Sequence, residues 1–273
     1  MNTPGRPPLL LLLTSPSLYG AAVINELADH PHVDMVGVAL TNRVYKNQGL
    51  IATLRTAIRR MGWTYTRYNI LVGNIGWAHL RLRGKPTGLP TGKGRVKMVT
   101  DVNDPGTLAW LTELQPDYIA SCYFNQWIGA DVRRIAKTAC VNVHPSLLPA
   151  LRGPDPLFRA AQYQIRESGV TIHTVDDKFD EGEILCQLRT TLLEDASVFA
   201  LYLDQLRTGA RLLGDWIHQP EKTGEKPGDL SHYPAVIREY LGFPTPDEVR
   251  QFVRSGKRLV SLAEANRAVL QLK

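Results

Sequence analysis

The sequence predicts an α/β fold: a doubly wound, mostly parallel sheet carrying a helical insertion and a short, mainly helical C-terminal extension. Three observations lead there. Short apolar runs of strand length recur along the chain, among them LLLLL at 9–13, VDMVGVAL at 33–40, YIASCYF at 118–124 and ACVNVH at 139–144. Segments with apolar residues at helical spacing separate most of them. A strand, a short turn, a helix and a strand in succession form a βαβ unit, which builds a parallel sheet.

The elements follow in order. Leu9–Leu13 reads as a buried first strand. Ser15-Pro16-Ser17 is a turn with N-cap chemistry, and Ala21, Ala22, Val23, Ile24 and Leu27 then repeat as a helix that His30-Pro31 ends. Val33–Leu40 is the second strand. The alternation stops at Arg43 and resumes at Lys97. Within that gap Leu50, Leu54 and Ile58 fall on one face of an amphipathic helix, and YTRYNILVGNIGWAHLRLRG reads as a second helix weakened by Gly73 and Gly76. Pro86–Gly94 reads as a loop. Val96–Thr100 is a short strand, Asp104 or Pro105 starts the next helix, and GADVRRIAKT forms another between the strands at 118–124 and 139–144. GVTIHTV from Gly169 and GEILCQLRTTL from Gly182 are two further strands, joined by the acidic loop DDKFDEG. Helix is expected from about Ala196 to His218 and again near Glu248–Val253.

Composition narrows the class. The chain is 44% hydrophobic and 21% charged, which suits an ordinary globular core. Its three cysteines are far apart and form no Cys-x-x-Cys pair, so neither a disulfide framework nor a metal site is expected, and a reducing, cytoplasmic setting is the default. The leucine run is too short for a secretory signal, and no segment reaches the ~20 apolar residues of a membrane span. The net charge is +6 and unevenly distributed: residues 43–97 hold twelve Lys or Arg and no Asp or Glu. An anionic partner or a solvated basic face would each account for that segment. A lid over the site and a membrane-surface patch are further readings of the insertion.

Chemistry concentrates in VNVHPSLLP, Val141–Pro149. Asn142 and His144 are two apart on a strand and so share a face. They also lie near the carboxyl end of a late strand, where open α/β sheets bind ligands. An imidazole handles protons near neutral pH. A side-chain amide can stabilise an oxyanion without a charge of its own. A carboxylate nearby would orient the imidazole, and Asp176, Asp177 and Asp180 are the local choices; spacing does not decide among them. Ser146 lacks a Gly-x-Ser-x-Gly elbow and is assigned a cap or turn role. His173 reads as a structural strand residue, and Cys122 and Cys186 as buried hydrophobes.

Three stretches, PDYIASCYFNQWI, VNVHPSLLPALRGPDPLFRAA and GVTIHTVDDKFDEGEILCQ, resemble the core of the formyltransferases that use 10-formyltetrahydrofolate. That family includes the glycinamide ribonucleotide, methionyl-tRNA and amino-sugar N-formyltransferases. It shares an Asn-x-His-Pro-Ser-Leu-Leu-Pro stretch, here Asn142 to Pro149, and a downstream Asp shortly before a glycine, here Asp180. The resemblance is close over about residues 115–190. It implies a Rossmann-like formyltransferase domain over residues 1–195, with the basic insertion at 43–97 and a helical extension at 196–273. It implies Asn142, His144 and Asp180 as the catalytic set. It implies folate contact, largely through backbone, by Tyr123, Phe124, Asn125, Gln126, Trp127 and Ile128 after one strand and by Val175, Asp176 and Asp177 after another. No metal is implied. The formyl donor would be 10-formyltetrahydrofolate. The turn TSPSLYG lacks the glycine-rich phosphate loop of the glycinamide ribonucleotide enzymes, and the roughly 80 residues after the core begin as helix. The acceptor expected is therefore a small-molecule amine or hydroxylamine, of hydroxyornithine or amino-sugar type, rather than tRNA. A formyltetrahydrofolate hydrolase and a non-catalytic binding protein of the same fold are the alternatives.

Overall fold

The computed structural model describes residues 6–41, 49–84, 94–225, 230 and 233–272. A seven-stranded sheet organises the chain: β1 (Leu9–Thr14), β2 (Asp34–Leu40), β3 (Arg95–Met98), β4 (Tyr118–Cys122), β5 (Ala139–His144), β6 (Glu167–Thr174) and β7 (Ile184–Thr191). Its order is β3-β2-β1-β4-β5-β6-β7. The first five strands are parallel, and β6 alone is reversed, pairing antiparallel with both β5 and β7. This is the mostly parallel, doubly wound sheet expected.

Period-two alternation divides the core between the two faces. Leu10 and Leu12 of β1 pack on one side and Leu11 and Leu13 on the other, all fully buried. Helices α1 (Leu18–Ala28) and α7 (Val198–His218) cover the first side, while α4 (Pro105–Glu113) and α5 (Ala130–Ile135) cover the second. Two side-chain caps start these helices where the sequence places them: Ser17 accepts from the Gly20 amide, and Asp104 from that of Thr107.

The insertion is helical, but divides differently from the reading above. Helix α2 (Leu50–Ile70) breaks at Gly62, whose φ of 80° is left-handed. It continues through a π turn at Leu71–Ile75 into α3 (Gly76–Leu82). Its deepest face is Met61, Tyr65, Tyr68 and Val72, while Leu54 and Ile58 are only half-buried. The side chain of Leu50 and the Pro86–Gly94 loop, apart from Gly94, lie outside the described residues.

Among the described residues the remaining α-helices are α6 (Pro156–Gln162), α8 (Pro246–Arg254) and α9 (Leu262–Gln271). Helix α8 packs on α2, and α9 on α3 and α7. Arg159 of α6 is buried and pairs with Glu248 of α8 at 2.5 Å. The core does not divide at 195: α7 packs against α1, β5 and β6, and Val249, Phe252 and Val269 join the same apolar cluster as Leu10.

Candidate active site

Strands β5 and β6 build the site by alternation. Val141, Val143, Val170 and Ile172 face the α7 side of the sheet. Asn142, His144, Thr171 and His173 therefore face the other. Antiparallel register sets Asn142 opposite His173 and His144 opposite Thr171. The loop at 175–183 folds back over this face and delivers Asp180, whose φ of 56° turns the chain sharply there.

The structure brings Asn142, His144 and Asp180 into one cluster. Asp180 Oδ1 lies 3.5 Å from His144 Nδ1 and 3.9 Å from His173 Nε2. Its second oxygen accepts the Gly153 amide at 2.9 Å. His144 is nearly fully buried, and its Nε2 donates to the Leu151 carbonyl at 3.1 Å. That bond leaves Nδ1 as the nitrogen facing the carboxylate.

His173, which the sequence reads as a structural strand residue, lies inside the cluster. Its Nδ1 donates to the Thr174 carbonyl at 2.8 Å, so Nε2 is free to accept from Asn142 Nδ2 at 3.0 Å. Burial, reinforced by the nearby His144, lowers its pKa to about 4, which keeps the ring neutral as that acceptor role requires. On the other side the Ser121 hydroxyl donates to Asn142 Oδ1 at 2.7 Å. These two bonds fix the amide orientation, and one Nδ2 hydrogen remains for a substrate oxygen.

Gly153 holds the turn that carries the Leu151 carbonyl. Its φ is 120°, and a Cβ there would sit 2.0 Å from the Leu241 carbonyl oxygen. Ser146 has the turn role expected: its hydroxyl donates to the Ala150 carbonyl at 2.9 Å, and its own carbonyl accepts from Thr171 Oγ1 at 2.6 Å. No helix begins there.

The residues expected to line a folate have varied settings. Tyr123, with φ 53°, turns out of β4, and its ring packs edge-on to Tyr19 at 4.8 Å. Phe124 and Val175 are partly buried in the second apolar cluster, and Ile128 is buried within it. Gln126 turns inward: its Oε1 accepts the Val102 amide, and its Nε2 donates to Thr41 Oγ1 and the Thr100 carbonyl. Its side chain is thus consumed by the core, leaving its backbone for a ligand. Asn125 and Trp127 are exposed. Asp177 pairs with Arg133 at 2.6 Å, and Asp176 accepts the Asp177 amide. Among the described residues no group of three His, Cys, Asp or Glu is arranged to hold a metal.

One feature was not legible in the sequence. Asp155, two residues beyond Gly153, is fully buried and accepts hydrogen bonds from Tyr202 at 2.8 Å and from Tyr65. Tyr19 and Tyr68 share a hydrogen bond of 2.6 Å beside them. Burial raises Asp155 to about 6. Tyr65 belongs to the insertion, so the insertion is tied through Asp155 to the loop that contacts His144 and Asp180. The three residues are 90 and 47 positions apart along the chain, and no local pattern announces them.

Residues 98–213 match the formyl transferase family model, a span that contains Asn142, His144, His173 and Asp180. That span of the chain is similar to a formyl transferase domain. A methionyl-tRNA formyltransferase from Roseiflexus sp. (strain RS-1) is 31% identical over 169 residues, covering 56% of this chain and 52% of that protein. A methionyl-tRNA formyltransferase from Halalkalibacterium halodurans is 34% identical over 116 residues, covering 42% of this chain and 37% of that protein. The chain spans about half the length, or less, of the curated relatives it matches. Among solved structures, a phosphoribosylglycinamide formyltransferase from Bacillus halodurans superposes with a TM-score of 0.51 at 19% identity, covering 77% of this chain and 94% of that one. A sugar N-formyltransferase from a Shewanella species superposes with a TM-score of 0.50 at 16% identity, covering 96% of this chain and 86% of that one. At those identities the likeness is one of fold.

Proposed function

We propose that this chain is a formyltransferase that moves a formyl group from 10-formyltetrahydrofolate to a small-molecule amine or hydroxylamine. The observation that carries the reading is the convergence of Asn142, His144 and Asp180 on one face of the sheet.

The donor would supply an activated formyl group on nitrogen. The remaining chemistry falls to this chain. The acceptor nitrogen attacks the formyl carbon, the carbonyl oxygen gains charge, and the folate nitrogen leaves with a proton. The free Nδ2 hydrogen of Asn142 is placed to meet that oxygen, a contribution typically worth ~3 kcal/mol in the barrier. His144, oriented between the Leu151 carbonyl and Asp180, handles the proton that the acceptor loses and the leaving nitrogen gains. Asp180 is held in turn by the Gly153 amide, which sets its distance to the imidazole. His173 orients Asn142 and does not itself touch the formyl group. The folate would lie against the loop at 123–128 and the segment 175–177, held by their backbone groups.

A small acceptor is supported by the turn after β1. There the Ser17 hydroxyl caps the Gly20 amide at 3.0 Å, so a donor that a phosphate would need is already engaged. The whole-chain fold likeness to a sugar N-formyltransferase points the same way. A tRNA acceptor is the second reading, favoured by the names of the curated relatives and by the basic segment 43–97. Cys122, Cys140 and Cys186 are all free thiols, which fits work in the reducing cytoplasm.

The deciding experiment offers amino-sugar nucleotides, hydroxyornithine-type amines, glycinamide ribonucleotide and methionyl-tRNA in turn with the folate donor, and weighs each acceptor for a formyl group. A formylated small amine supports the proposal. Formylation of the tRNA alone would reassign the acceptor. Loss of the formyl group to water, with no acceptor needed, would make the protein a hydrolase.

A further inference from the structure

We propose that the insertion and the C-terminal helices together form a surface that binds anionic phospholipid membranes. The surface is independent of the catalytic reading and uses none of the residues placed in the site.

Ile75 at 54%, Leu82 at 86% and Leu262 at 71% are among the large aliphatic side chains exposed there. Ile75, Ala78 and Leu82 recur three and four residues apart, along one side of α3 and the π turn before it, and all are exposed. Leu262 begins α9, which packs on α3, and it shares with Ile75 the rim of a cavity of about 610 Å³. That cavity is walled mainly by aliphatic groups, among them Leu71, Val253 and Val260. Arg67, Lys257 and Arg258 stand around it. Arg81 and Arg83 are exposed at the end of α3, beside Leu82. An apolar cavity and stripe edged by cations is the pattern of a protein face that lies in a lipid interface.

Charge complementarity names the occupant. The segment 43–97 holds twelve basic residues and no acidic one, a charge that complements an anionic partner. Among anionic partners, RNA is gripped through phosphate contacts and base stacking on aromatic or arginine planes. Around the cavity the exposed apolar groups are Ile75, Val253 and Leu262, which gain free energy in hydrocarbon and little against RNA, while Trp63, the exposed aromatic of α2, is not among the residues that line it. Among the described residues no helix is long and apolar enough to cross a membrane, so the mode is attachment at the surface.

The test is flotation of the purified chain with vesicles of phosphatidylcholine alone and of phosphatidylcholine mixed with phosphatidylglycerol. The wild type is expected to float with the anionic vesicles and not with the neutral ones. Each basic residue near an anionic surface contributes about fivefold in partitioning, so Arg67→Ser with Arg81→Ser and Arg83→Ser should weaken it on the order of a hundredfold. Ile75→Asp with Leu82→Asp should weaken it about tenfold or more. All five positions are exposed, and circular dichroism checks that the fold is retained. Failure of the wild type to float with anionic vesicles would overturn the proposal. So would flotation of the Asp variant at the wild-type level, since that would mean charge attraction without apolar insertion. Displacement from the vesicles by transfer RNA that binds the Asp variant equally well would assign the surface to nucleic acid instead.

Discussion

Asn142→Asp tests the polar network at its most sensitive joint. The substitution keeps the shape of the side chain and replaces its NH2 by an oxygen. In the wild type Oδ1 accepts from Ser121 at 2.7 Å, and Nδ2 donates to His173 Nε2 at 3.0 Å. Ser121 can still donate to the variant. His173 Nε2 would then face a carboxylate oxygen while its Nδ1 hydrogen remains committed to the Thr174 carbonyl. Two acceptors would oppose each other unless Nε2 gains a proton. At 3.0 Å and an effective dielectric near 20, the attraction between that carboxylate and an imidazolium is roughly 5 kcal/mol. Half of it, after desolvation, would raise the His173 pKa by about 2 units from its wild-type value of about 4. The variant also loses the hydrogen offered to the formyl oxygen and presents a negative charge to it. Turnover should therefore fall about 10²–10³-fold or more, with folate affinity changed far less. Titration of the His173 ring by NMR gives the pKa, and steady-state release of tetrahydrofolate gives the rate. A His173 that still titrates near 4, or turnover within about tenfold of wild type, would refute the network.

Three further expectations follow from burial and backbone geometry. Asp155 has an ordinary value of 3.8 that rises to about 6 in the fold, so its contribution to stability is present below the lower value and lost as pH rises through the upper one. Asp155→Asn removes that dependence, and the variant should gain about 3 kcal/mol relative to wild type between acid and neutral pH. Urea unfolding at both ends of the range measures the gap, and a gap that does not move with pH would contradict the assignment. His173 titrates in the opposite sense: its stability contribution is present above 6.5 and lost as pH falls through about 4. Gly153→Ala combines a left-handed φ with a methyl group 2.0 Å from the Leu241 carbonyl oxygen. It should cost about 3 kcal/mol or more and lower the thermal midpoint; a melting curve like that of wild type would show that the loop can move aside.

Hydrophobic periodicity encodes most of the sheet. The central strands β1, β2, β4 and β5 lie within apolar runs, because a strand buried on both faces is a short unbroken run of hydrophobic residues, whereas the edge strand β3, Arg95–Met98, is exposed along its length and only two of its four residues are apolar. Helix α9 was missed although Ser261 and Glu264 form a capping box there, and α6 was missed although Asp155-Pro156 opens it. The insertion was read as helix, but its buried face was placed on Leu54 and Ile58 rather than on Tyr65 and Tyr68. Tyrosines at those positions read as surface residues until a buried acceptor, Asp155, is known to lie opposite. Within the site, Asn142, His144 and Asp180 were legible through a family resemblance, since spacing alone left three aspartates open. His173 was not, because its place beside Asn142 depends on the antiparallel register of β5 and β6, which no local pattern of residues encodes.

The most direct measurement compares wild type with His144→Ala for release of tetrahydrofolate from 10-formyltetrahydrofolate, with and without an accepted amine, while folate binding is followed in parallel. Release that requires the amine, and that is abolished in the variant while folate affinity and the melting transition persist, is the expected result. Wild-type turnover in the variant, or equal release without any amine, would contradict the assignment of these residues to formyl transfer.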